Sequence, residues 1–198
     1  MKKKIIGLCG GSGSGKGMVG NFFSENGYLT VDTDKVYRDL TTKSSSCLDA
    51  LVCEFGKEIL TAEGILDRRK LAEIVFSNKE KHARLNEITH KFVLDRVRKI
   101  INESQDSYRG FVVDAPLLYE SGFDKSCDFV VAVVADLEKR LDRIVVRDSI
   151  PRDAALKRIR SQISNDELMA KADFVIENNS GLDSLKLETK KIIKKIQG

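Results

Sequence analysis

The chain has 198 residues, enough for one α/β domain with insertions or a domain plus a small subdomain. Hydrophobic residues make up 41% and charged residues 32%, the balance of a soluble globular protein. The net charge of +4, from 34 basic and 30 acidic side chains, is too small to mark a nucleic-acid binder and suits polyanionic small substrates.

The apolar run Ile5-Ile6-Gly7-Leu8-Cys9 reads as a buried strand over 4–9, followed at once by Gly10-Gly11-Ser12-Gly13-Ser14-Gly15-Lys16. Gly10, Gly15 and Lys16 satisfy the phosphate-loop spacing G-x-x-x-x-G-K. Four glycines in six positions let the backbone turn so that N–H groups converge on one anion. Lys16 then reaches the β- and γ-phosphates of a nucleotide, and a helix over 15–26 aims its positive end at them. A plain glycine-rich turn is the competing reading. The strand before the loop and the amphipathic stretch after it, with Met18, Val19, Phe22 and Phe23, argue for the nucleotide. Position 17 departs from the motif: Gly17 stands where a Ser or Thr hydroxyl ordinarily ligates Mg²⁺.

Tyr28 to Val31 predicts a second strand, ending in Asp32-Thr33-Asp34. Two carboxylates at i and i+2 would share one side of the sheet's carboxyl edge, where ligands sit in doubly wound folds. One would take a proton from an attacking hydroxyl and the other help hold a metal. The same residues also fit an Asx-type turn with Asp34 as the N-cap of a helix.

From Lys35 to Ser104 strand character disappears, and apolar residues recur at helical spacing around Leu51, Ile74 and Ile88, so 35–104 reads as an inserted helical subdomain. Asp67-Arg68-Arg69 opens one of its helices, and Asn86 and His90 lie i and i+4 on one face. A single histidine there is more often a packed, hydrogen-bonded residue than a functional one.

Phe111 to Asp114 predicts a third strand ending in an acid, a Walker-B-like arrangement that places Asp114 to hold Mg²⁺ directly or through water. Phe129 to Val134 is a fourth strand, and Phe174 to Ile176 a fifth that leads to Glu177-Asn178-Asn179. Between them Arg140, Arg143 and Arg147 fall at i, i+3 and i+7, on a face expected opposite Leu137, Leu141 and Ile144. That row reads either as a lid neutralising phosphate charge or as a solvated helix face. Residues 182–196 form an amphipathic tail helix with a lysine-rich outer face.

Four cysteines at 9, 47, 53 and 127 form no C-x-x-C pair and read as reduced thiols in the cytoplasm. The basic start at Met1–Lys4 precedes too short an apolar run for an export signal, and no stretch approaches the ~20 apolar residues of a membrane helix. No heptad or long apolar edge drives assembly, so the chain reads as a monomer or weak oligomer that binds neither nucleic acid nor membrane.

Taken together, the loop, Asp32-Thr33-Asp34, Leu85-Asn86-Glu87-Ile88-Thr89-His90, Ala115-Pro116-Leu117-Leu118-Tyr119-Glu120, Arg143 to Arg147 with Gln162, and Ala172 to Asn179 resemble the dephospho-coenzyme A kinase family over essentially the full length. The resemblance implies an α/β P-loop fold with a five-stranded parallel sheet forming a core of 1–34, 105–136 and 172–198. It also implies that 35–104 binds coenzyme A and that 137–171 forms an arginine-bearing lid. The activity implied is ATP- and Mg²⁺-dependent phosphorylation of the ribose 3′-hydroxyl of dephospho-coenzyme A. Carried over residue by residue, Asp34 is the preferred general base with Asp32 second, and Lys16, Arg143 and Arg147 meet the ATP phosphates. Gly11, Ser12, Gly13, Ser14, Gly15, Lys16 and Gly17 cradle the nucleotide, with Asn178 and Asn179 near adenine. Asn86, His90, Leu117 and Glu120 join Asp34 on the acceptor side, and Asp32 and Asp114 are the metal candidates. Lys91 follows His90 where the family usually has Pro, which is expected to loosen a helix start there, and Cys9 replaces a usual Thr. Without a hydroxyl at 17, Mg²⁺ relies on nucleotide oxygens, water and an acid, giving a working but metal-hungry kinase. The alternatives are another small-molecule P-loop kinase, or a nucleotide-binding protein impaired by Gly17.

Overall fold

Five short apolar runs pair in parallel: β1 (Ile5–Cys9), β2 (Leu29–Asp32), β3 (Phe111–Asp114), β4 (Phe129–Val134) and β5 (Phe174–Glu177), in the spatial order β2-β3-β1-β4-β5. In this computed structural model, residues 3–42, 44–76, 78–104 and 106–197 are described. The central strands are buried from Ile6 to Cys9, throughout β3 and from Val130 to Val134, because helices cover both faces. Leu8 lies opposite both Asp114 and Val131, and Val134 opposite Glu177. The register therefore brings the loop after β1, the acid ending β3 and the turn after β5 to one edge of the sheet.

The chain divides into two units, Met1–Val31 with Gln105–Gly198, and Asp32–Ser104. In the first unit, Ile6, Leu8, Val112, Val131, Val133 and Ile176 point to one face. They pack there with Val19, Phe22 and Phe23 of α1 (Lys16–Glu25) and Leu185, Ile192, Ile193 and Ile196 of α9 (Leu182–Gln197). Each such side chain contributes about 1.5–3 kcal/mol by leaving water. On the opposite face Gly7 is required by close approach: a Cβ there would lie 2.7 Å from a Leu118 methyl and 3.0 Å from the Cys127 sulfur. Helices α6 (Leu137–Asp148) and α7 (Arg152–Arg160) pair through Leu141, Ile144, Ala155 and Ile159, turning at Ser149 and Pro151, and α8 (Asn165–Lys171) leads into β5. Leu137 is 47% exposed, so the buried face of α6 consists of Arg140, Leu141 and Ile144. The expected separation of arginines from apolar residues on this helix fails at Arg140.

The second unit holds α2 (Thr33–Thr42), α3 (Ser46–Phe55), α4 (Arg68–Phe76) and α5 (Lys79–Glu103) around Cys47, Leu48, Leu51, Ile59, Leu71 and Val75. Side-chain caps fix the helix starts. Ser45 Oγ accepts from Leu48 N at 3.1 Å, Asp67 from Arg69 N and Lys70 N, and Asn78 from Glu80 N and Lys81 N. One isolated antiparallel bridge, Leu60 with Leu66, interrupts the helices that the sequence predicts throughout. His90 and Lys91 lie in the middle of the 25-residue α5, not at a helix start, so Lys91 loosens no terminus. Among the described residues no helix is long and apolar enough to cross a membrane.

Candidate functional site

The loop between β1 and α1 is shaped by glycine at two positions above all. Gly13 has φ 78° and Gly15 φ 95°, left-handed conformations that side chains disfavour. A Cβ on Gly13 would also sit 2.6 Å from the Arg140 carbonyl oxygen and 2.9 Å from its Cα, while one on Gly15 would strike the Asn178 amide.

Three successive loop carbonyls are taken by side chains from far downstream. Arg140 Nε donates to Ser12 O at 2.9 Å, Arg143 donates to Gly13 O at 3.1 Å, and Asn178 Nδ2 donates to Ser14 O at 2.8 Å. Because a planar trans peptide sets its N–H opposite its C=O, these bonds turn the N–H groups of Gly13 and Gly15 the other way. The loop thus offers amide hydrogens at the positive end of α1, the electrostatics of an anion site. Gln162 clamps the loop further, accepting from Ser12 N at 2.9 Å and donating to Ser12 Oγ at 3.1 Å. Ser14 Oγ is buried with no hydrogen-bond partner among the described residues, an orphaned hydroxyl whose donor suits an anion bound in the loop.

Arg140 is only 4% exposed, and its guanidinium also donates to Asn165 Oδ1 at 3.1 Å and to Gln162 Oε1 at 3.4 Å. Burial among these neutral acceptors holds its pKa below the ordinary arginine value. It is an internal strut of the loop and not a member of a solvent-facing arginine row. Arg143 bridges, donating also to Asn178 O at 3.0 Å. Arg147 is exposed and forked onto its neighbour Asp148 at 2.7 and 2.9 Å.

Lys16 forms an ion pair with Asp114, which is buried at the end of β3. Cys9 at the end of β1 donates to Val131 O, and burial pushes its thiol up to about 12 against the pull of Lys16. Gly17 is exposed, and a Cβ there meets nothing within 4 Å. Among the described residues no group of three or more His, Cys, Asp or Glu is arranged to hold a metal ion. Mg²⁺ ordinarily keeps several waters and takes one or two protein carboxylates, and Asp114 beside Lys16 is a carboxylate of that kind.

Asn178 is 7% exposed, so its amide serves the loop instead of opening toward a base. Asn179 exchanges bonds with Asp136, accepting from its N and donating to its carboxylate, both at 2.9 Å. Leu117 is 47% exposed in the turn after β3; Glu120 lines an open polar cavity of about 580 Å³ with Tyr119, Asp124, Lys125 and Lys171. In the second unit, Asp32 Oδ1 accepts from Lys35 N at 3.0 Å and so caps α2, with Asp34 exposed in the first turn. The capping acid is Asp32 rather than Asp34, and the two carboxylates do not alternate along one strand. Asn86 and His90 occupy the same helix, and Asn86 Nδ2 lies 3.4 Å from His82 Nδ1. The clamp made by Asn165, which also donates to Ala135 O at 2.9 Å, had no signal in the sequence.

The sequence model of the dephospho-CoA kinase family matches residues 4–184. A dephospho-CoA kinase of Fusobacterium nucleatum is 44% identical over 185 residues, 93% of this chain and 94% of that protein. One of Corynebacterium glutamicum is 40% identical over 192 residues, covering 96% of each. The solved structure of dephospho-CoA kinase from Campylobacter jejuni superposes with a TM-score of 0.71 at 27% identity, covering 97% of this chain and 96% of that one. Fold, loop and sequence agree over nearly every residue, and the chain belongs to the dephospho-CoA kinase family.

Proposed function

We propose how this chain's residues divide the reaction of their family, ATP- and Mg²⁺-dependent phosphorylation of the ribose 3′-hydroxyl of dephospho-coenzyme A to coenzyme A and ADP, the last step of coenzyme A synthesis. The observation that carries the reading is the loop whose Ser12, Gly13 and Ser14 carbonyls are pulled outward by Arg140, Arg143 and Asn178. A backbone so fixed needs no rearrangement to receive phosphate oxygens, and preorganised donors act most strongly where charge develops.

The loop from Gly11 to Gly17 cradles the triphosphate, with the N–H groups of Gly13 and Gly15 turned toward it, and Lys16 exchanges Asp114 for phosphate oxygens. Asp34 accepts the proton of the ribose 3′-hydroxyl as that oxygen bonds to the γ-phosphorus, and the electron pair of the breaking bond leaves on ADP. Asp32 is the second candidate base. Arg143 and Arg147 neutralise the transferring group, with 137–171 as the lid that carries them, and Asn179 lies toward the adenine of ATP. Mg²⁺, when bound, neutralises phosphate charge; Asp114 and Asp32 are the acids that would hold it, through water where needed. Residues 35–104 receive the acceptor, with Asn86 and His90 on one helix, and Leu117 and Glu120 complete that side. A cytoplasmic monomer or weak oligomer fits this role.

The test is a mass-detected assay of ATP with dephospho-coenzyme A. The expected result is a product heavier by one phosphoryl group, and Asp34→Asn should lower kcat about 10²–10⁴-fold with KM for ATP unchanged. Full kcat in Asp34→Asn removes Asp34 as base, and absence of product from the unaltered chain removes the reaction.

A further inference from the structure

The second unit contains a largely apolar cavity of about 200 Å³ that none of the roles above employs. Leu71, Ala72, Val75 and Leu85 line its apolar wall, and Tyr37, Arg68, Phe76 and His82 complete it. The Arg68 guanidinium stacks over the Tyr37 ring at 4.8 Å and donates to Thr41 Oγ1 at 2.7 Å, so both planar groups are held in place. Phe76 is 85% exposed, an aromatic ring left largely in water beside the opening. His82 brings a polar edge that continues to Asn86.

Tyr37 stands on α2 three residues after Asp34, about 4.5 Å further along the helix axis. Whatever occupies the cavity therefore lies close to the acid assigned above as general base. In dephospho-coenzyme A the adenine is joined to the same ribose that carries the reacting hydroxyl. The pantetheine arm is separated from that ribose by a diphosphate and reaches much further away. We infer that this cavity is the binding site for the adenine of the acceptor, stacked against Tyr37 and Arg68 with Phe76 closing over its exposed face. Aromatic and guanidinium planes suit a flat heterocycle, and an apolar floor with one polar edge is the usual make-up of a small-molecule site. The inference rests on Asp34 serving the ribose hydroxyl.

Three variants of the full chain test it: Tyr37→Leu, which removes the stacking plane; Tyr37→Phe, which keeps it; and Ala72→Phe, which fills the cavity from α4. Base–aromatic stacking predicts that Tyr37→Leu raises KM for dephospho-coenzyme A about tenfold, Tyr37→Phe much less, with KM for ATP unchanged in both. Ala72→Phe should raise the same KM from a different helix, so a misfolded Tyr37→Leu does not leave the matter open. In parallel, dephospho-coenzyme A bearing an 8-azidoadenine is photolysed with the unaltered chain while a non-hydrolysable ATP analogue fills the other site. Label on the peptides carrying Tyr37 or Phe76 supports the assignment. An unchanged acceptor KM in Tyr37→Leu and Ala72→Phe, or label confined to other peptides, overturns it. If the unaltered chain forms no product yet these two peptides are labelled, the reaction reading falls and the base site stands.

Discussion

Asn178→Ala removes one side chain and tests whether the phosphate loop is held open from behind. The amide is buried and donates to Ser14 O at 2.8 Å, while its own main-chain oxygen accepts from Arg143 at 3.0 Å. Truncation leaves the Ser14 carbonyl without that donor, and a buried polar group deprived of its partner costs about 1–3 kcal/mol. For a chain of this length each kcal/mol lowers the melting temperature by about 2–4 °C, so a fall of about 2–12 °C is expected. The Ser14 peptide is also released to rotate, which misaims the Gly15 N–H and should raise KM for ATP severalfold. Thermal melts with and without ATP, together with initial rates, read both effects. As a control, Glu188→Ala breaks only an exposed pair with Lys191 and should shift stability by less than about 0.5 kcal/mol. If Asn178→Ala melts within about 1 °C of the unaltered chain and binds ATP equally well, the strut argument is wrong.

Gly17→Ser adds a hydroxyl where a Cβ meets nothing within 4 Å, so it should fold normally and lower the Mg²⁺ concentration for half-maximal kcat severalfold. A Mg²⁺ titration that coincides with that of the unaltered chain removes the account of this departure. Hydrogen bonds from Arg147, with further help from Arg158, hold the Asp148 carboxyl down from 3.8 to about 2. A depressed acid contributes its stability above its unfolded pKa and loses it as pH falls through the folded one. Denaturant unfolding should therefore separate Asp148→Asn from the unaltered chain above pH 3.8 and bring the two together near pH 2; a gap that persists at the acid end contradicts the pairing.

The sheet was legible because parallel strands covered on both faces read as unbroken apolar runs, and Phe111–Asp114 and Phe129–Val134 are the predicted segments to the residue. The loop was legible because its glycine spacing is dictated by backbone sterics, which the sequence carries locally. What holds the loop was not. Its partners' acceptors are main-chain carbonyls 128, 130 and 164 positions away, and a carbonyl leaves no mark on residue choice. Arg140 misled for the same reason, since the helical wheel distinguishes apolar from charged residues and has no category for a buried guanidinium among neutral oxygens. Asp32-Thr33-Asp34 reads from sequence either as a strand end or as a turn capped by Asp34, and neither is right in detail because the chain changes period inside the motif: Asp32 ends β2 and caps the helix that already contains Asp34.

Arg143 and Arg147 lie one turn apart on α6, yet their present bonds give them different tasks. Arg143 spends its fork on Gly13 O and the Asn178 carbonyl, and a guanidinium has five N–H donors, so it can hold the loop and meet a phosphate at once. A lysine's single ammonium has no such planar fork to span both carbonyls. Arg147 has given Nε and one terminal nitrogen to Asp148, so its charge is already paired with a carboxylate at an exposed site. One arginine of the row is thus built into the loop itself, whereas the other, on the proposed reading, would join it only when the charge of ATP competes with Asp148.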